Sequence, residues 1–164
     1  KSSTPSCMVY GELGIYPLHV TIRSRVLNYW YKVSHSNNTK KISSIMNKLL
    51  HKLDIESIYT PPWLHFVKTS LQNLGMSFAW DKQPHQQLNF KWLSNAVRQR
   101  SQDQYIQTWH SEMFQNEVCL NYRIFKTNFG YEKYLDLLPA KLRIPLTKFR
   151  LSNHHLPIDR KSVV

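Results

Sequence analysis

An all-α fold, an irregular bundle of about six or seven helices with short loops, is what this sequence predicts. Three observations carry that expectation. Apolar residues recur at three- and four-residue steps through most of the 164 residues, alternating strand patterns are almost absent, and proline and glycine stand where those steps break.

Leu18, Ile22, Val26, Tyr29, Trp30 and Val33 predict a first helix, with Pro17 acceptable in its first turn and "HSNN" as its polar stop. Thr39 is the N-cap expected for a second, in which Ile42, Ile45, Met46, Leu49, Leu50 and Leu53 make a wide apolar face and Lys41, Lys48 and Lys52 the other. Thr60, Pro61 and Pro62 open a third, with Trp63, Val67, Leu71 and Leu74 as its stripe and Gly75 as a left-handed cap. "SFAWDKQPHQQ" reads as a connecting loop.

No Pro or Gly interrupts 89–116, so one long helix fits there, although its apolar stripe drifts and its polar middle suggests a bend or a solvated face. Shorter amphipathic pieces follow around Leu120 to Lys126 and Tyr131 to Leu138. Pro145 is placed as the first helical residue of "PLTKFRLSNHH", with Leu146 and Phe149 inward and Arg150 and His154 sharing an outer face. In this scheme Trp30, Leu49, Trp63, Val67, Trp109 and Phe149 are buried, and Trp92 also sits in the core.

The chain carries 22 Lys and Arg against 10 Asp and Glu, a net charge of +12, and this balance points to a polyanionic partner, nucleic acid before an anionic membrane. No apolar run is long enough for a transmembrane helix or a signal peptide, so a soluble, intracellular protein of cytoplasm or nucleus is expected. Cys7 and Cys119 are too few for a disulfide framework or a Cys-based zinc site. The first residue, Lys rather than Met, reads as a fragment.

Enzymatic motifs are missing: there is no Gly-rich phosphate loop, no Gly-x-Ser-x-Gly, no His-Glu-x-x-His and no adjacent acidic pair for two magnesium ions. His154 and His155 are adjacent, and consecutive helical residues point about 100° apart, so they make no metal site. No catalytic residue, metal or cofactor is therefore expected. The candidate nucleic-acid-binding residues are Arg98, Arg100, Arg123, Lys126, Lys141, Arg143, Lys148, Arg150 and His154, because Arg and Lys interleaved with Tyr, Gln, Asn and His grip phosphates while offering stacking surfaces.

Three blocks, "MVYGELGIYPLHVTI", "QTWHSEMF" and "YEKYLDLLPAKLRIPLTKFRLSNHHLPID", together resemble the region that follows the polymerase domain in non-LTR (LINE-type) retrotransposon proteins of invertebrates and fishes. The matching positions are Gly11, Glu12, Leu13 and Gly14 in the first block, Trp109 and His110 in the second, and Arg143, Arg150, Ser152 and His154 in the third. Read on their own, Gly11 and Gly14 suggest a tight turn, Trp109 a core anchor and His110 a satisfied helix histidine. The resemblance implies that residues 1–16 lead in from an upstream polymerase region, that 17–157 form a helical accessory domain, and that 158–164 are a divergent or truncated tail. It fades after Pro157, where "IDRKSVV" brings no Cys-x-x-Cys. It also implies association with template RNA or target DNA during reverse transcription, in a parent protein that is an RNA-directed DNA polymerase, without catalysis by this chain. A structural module that docks onto the polymerase domain, with incidental charge, is the other expectation.

Overall fold

The computed structural model describes residues 4–35, 42–55, 60–81 and 89–151, and these are all-α. In order they form α1 (Ser6–Leu13), α2 (Leu18–Ser34), α3 (Ile42–Ile55), α4 (Pro62–Asn73), α5 (Phe78–Asp81), α6 (Phe90–Gln115), a 3-10 turn (Glu117–Cys119), α7 (Tyr122–Phe125), α8 (Tyr134–Leu137) and α9 (Ala140–Arg150). Among the described residues there is no strand; an isolated antiparallel bridge pairs Leu13 with Tyr131. Thr39, Ser152, His154 and His155 lie outside the described residues.

Two compact units divide the chain. A central unit spans 17–105, and a split unit joins 1–16 with 106–164. The segment expected as a lead-in thus holds a helix, α1, that groups with elements more than 90 residues away.

In the central unit α2 packs against α3 and α4, and α4 against α5. Leu27, Trp30, Tyr31, Leu64, Val67, Leu71, Met76, Trp80, Leu93 and Val97 form its buried core, with Trp30 and Trp80 stacked at 5.8 Å. Pro62 occupies the first turn of α4, where its missing N–H costs nothing, and Gly75 at φ 64° supplies the left-handed residue beyond the helix end. The loop expected over "SFAWDKQPHQQ" contains α5, which buries Ala79 and Trp80. Leu49 is exposed rather than buried, because the core-facing side of α3 is that of Leu50 and His51, about 100° further round the helix. Trp63 is half-buried against the core, and Trp92 is exposed.

Helix α6 is continuous from Phe90 to Gln115. Its buried positions are Leu93, Val97, Ser101, Tyr105, Trp109 and Met113, one every four residues. Since four residues exceed a turn by about 40°, the buried stripe winds steadily around the helix, and Ser101 in the polar middle is buried rather than solvated.

In the split unit Trp109, Met113, Cys119 and Tyr122 are buried together with Cys7 and Met8 of α1. The Trp109 indole N–H donates to the Cys7 carbonyl at 2.8 Å, and the Tyr122 hydroxyl donates to the Met8 carbonyl at 3.1 Å. Both carbonyls belong to the first turn of α1, so two large rings anchor that short helix. The two cysteines, isolated in sequence, meet with their Sγ atoms 3.7 Å apart.

Helix α9 begins at Ala140, five residues before the expected start, so Pro145 lies inside it. Its ring removes the hydrogen bond that residue 145 would donate to the Lys141 carbonyl. Phe149 is exposed at its edge, its ring 5.8 Å from that of Phe125.

Candidate nucleic-acid interface

Helix α9 gathers four of the basic residues singled out in the sequence, and the helical twist sorts them. Arg143 and Arg150, seven apart, share one side with Thr147; Lys141 and Lys148, also seven apart, share the opposite side. The arginine side turns inward. Arg143 donates to the Leu135 carbonyl at 2.7 Å, tying α9 to α8. Arg150 reaches Glu12 of α1, with Nη2 2.8 Å and Nε 3.1 Å from Oε1. The lysine side is exposed, and neither Lys141 nor Lys148 has a hydrogen bond or ion pair among the described residues.

Glu12 is the centre of this arrangement. It is only 2 % exposed, yet a carboxylate out of water needs counter-charge and donors. It receives both from Arg150 and a further hydrogen bond from the Tyr134 hydroxyl, 2.7 Å from Oε2. The guanidinium lies 5.2 Å from the centroid of the Tyr134 ring and 3.4 Å from Glu132, which in turn pairs with Lys126. Burial opposes the Arg150 charge, but the hydrogen bonds and field of Glu12 outweigh it and raise the Arg150 pKa. Burial and then the hydrogen bond to Glu12 push the Tyr134 phenol up to about 12, against the lowering effect of Thr147.

Lys126 is the most enclosed of the basic candidates, 3 % exposed, with its ammonium engaged by Glu132 and the Gly130 carbonyl. Arg150, the strongest partner of Glu12, is likewise an internal counter-charge. Arg100 donates from Nη1 to the Leu74 and Gly75 carbonyls, both at 2.8 Å, and so caps the end of α4, where a cation meets the negative end of the helix dipole. Arg123 lies 5.4 Å from the Phe114 ring centroid and donates to its carbonyl at 3.3 Å. Arg98 is exposed, and among the described residues it has no such engagement. Of the nine candidates, Arg98, Lys141 and Lys148 therefore keep their charge directed to solvent, and His154 lies outside the described residues.

Residues from each of the three sequence blocks singled out above meet in the split unit. Glu12 from the first meets Tyr134 and Arg150 from the third, and Trp109 from the second closes on Cys7 beside the first. Gly11 is not in a turn. It lies within α1, where an added Cβ would stand 2.8 Å from the Tyr122 hydroxyl and 2.9 Å from Trp109. Gly14, at φ 59°, is the left-handed cap of α1, and a Cβ there would collide with the backbone of Tyr131. Trp109 is a core anchor, and His110 is half-buried, edge-on to it at 4.8 Å. Comparison with protein-family models, curated proteins and solved structures gives no match.

Exposed cations that the candidate set omitted include Lys32 and Lys91 in the central unit and Lys133 in the split unit. The signal for the central unit was present in the composition. Residues 17–105 hold twelve of the basic residues against four acidic ones, a stronger imbalance than the C-terminal segment shows.

Proposed function

We propose that this chain is a non-catalytic basic helical domain that holds nucleic-acid backbone, serving as an accessory to a reverse transcriptase of the LINE type on template RNA or target DNA. One observation carries the reading. The buried cluster is electrically neutral, with Glu12 and Glu132 offset by Arg150 and Lys126, so the net charge of +12 is borne entirely outside it. Lys141 and Lys148 stand about 10 Å apart along the outer side of α9 without internal partners, a spacing that suits successive phosphate contacts. The meeting of Glu12 from the first resembling block with Tyr134 and Arg150 from the third supports the family reading, since residues far apart in sequence then share one structural task.

A second reading, docking onto a polymerase domain, is favoured by α3. Ile42, Ile45, Met46 and Leu49 repeat at helical spacing and are all exposed. Salt-titrated binding to RNA and DNA oligonucleotides separates the two. Phosphate binding weakens steeply with salt, and a flat titration would discard it in favour of apolar docking.

A further inference from the structure

We infer that the start of α6, with the end of α2, forms a platform for unpaired nucleic acid, single-stranded RNA or DNA, in which Trp92 stacks on a base while Lys91 and Arg98 hold the flanking phosphates. The inference rests on the nucleic-acid reading above and names the form of strand taken.

Trp92 is the first observation. The central unit buries Trp30 and Trp80, yet leaves Trp92 50 % exposed, so a large amphipathic ring is open to a stacking partner. The Asn89 side chain accepts the Trp92 backbone N–H at 3.1 Å and so fixes the start of the helix that carries the ring, and the Phe78 ring lies 6.2 Å from the indole on one side.

The second observation is the charge around it. Lys91, the residue before Trp92, is exposed and unpaired among the described residues, and Arg98, seven residues on, returns to the side of Lys91 about 10 Å along the axis, a side about 100–120° round the helix from Trp92 and next to it. Between them this outer side presents Ser94 and Asn95, neutral groups able to hydrogen-bond, and the next acid, Asp103, is engaged by Gln99 at 2.9 Å. On the other flank the Lys32 ammonium sits 5.0 Å from the Phe90 centroid, and Phe90 itself stacks on Tyr31 at 5.7 Å. A fixed aromatic face bordered by cations is what a single strand requires, because its bases expose their faces beside the phosphates. A duplex keeps those faces stacked on one another and offers only its backbone.

The test is fluorescence anisotropy of the full chain with labelled oligouridylate, oligothymidylate and a short blunt duplex, with far-UV circular dichroism of each variant. Trp92→Ala is expected to weaken both single strands by roughly 5- to 150-fold and the duplex by less than about twofold, while Trp92→Phe keeps most of the single-strand affinity. Lys91→Gln with Arg98→Gln is expected to weaken all three and to flatten their salt dependence. Equal losses on single strands and duplex in Trp92→Ala would overturn the platform. So would unchanged single-strand binding that still weakens steeply with salt, and in that case the general nucleic-acid reading would survive. Absence of binding to any of the three would remove both.

Discussion

Arg150 closes on Glu12 across 138 residues of sequence, its Nε and Nη2 both donating to one buried carboxylate. Removing either partner leaves the other charge stranded. Glu12→Met or Arg150→Met is expected to destabilise the split unit by about 3–5 kcal/mol, and the double replacement Glu12→Met with Arg150→Met to recover a substantial part of that loss. Urea unfolding of the four proteins measures the coupling, and strictly additive effects would count against it.

The glycines of α1 differ in what limits them. Gly11→Ala meets Tyr122 and Trp109 side chains, so a cost of about 1–3 kcal/mol from overpacking is expected. Gly14→Ala meets backbone in a left-handed conformation, and the larger loss of the two is expected there. Thermal melts of the two variants give the order.

Salt dependence should follow the sorting of α9. Lys141→Gln with Lys148→Gln is expected to leave stability within about 0.5 kcal/mol and to flatten the slope of log affinity against log salt on duplex DNA by up to about two units. Arg143→Gln with Arg150→Gln is expected to unfold the split unit instead. A reversed pattern, with stable arginine variants of flattened slope, would mean that the arginine side meets the phosphates.

Alkaline stability has a sign set by groups whose proton loss the fold opposes, among them the buried Cys119 and the half-buried Tyr134. Burial, then the nearby Cys7, push the Cys119 thiol from 9.0 up to about 12, and Tyr134 moves from 10.0 to about 12. Between those values the unfolded chain has released protons that the folded chain retains. The stability is therefore complete below about pH 9 and falls as pH rises toward 12. Cys119→Ala removes the titrating thiol, and the fall in its urea midpoint is expected to begin nearer pH 10.

Much of the fold was legible because α2, α4 and α6 combine helical apolar spacing with clear punctuation. Helix α1 was not, since its buried face consists of Cys7, Met8, Gly11 and Glu12, two of them unlike core residues. The start of α9 was hidden because proline inside a helix is costly and Pro145 reads naturally as a first residue. At the candidate interface the charges were visible but their pairing was not: nothing near Arg150 in sequence announces Glu12. Trp92 looked like core, yet it stands one residue before Leu93 and so about 100° away from the buried stripe.

Grouping α1 with elements beyond residue 105 also orders events on the ribosome. Residues 17–105 are contiguous, so the packing of α2 on α3 and α4 can form as soon as they emerge. Glu12 must wait for Arg150, and at about 5–20 residues per second that interval is roughly 7–28 s for the 138 residues between them. Throughout that interval the Glu12 carboxylate lacks its Arg150 partner, so its charge must be met by water until the third helix turn of α9 is made.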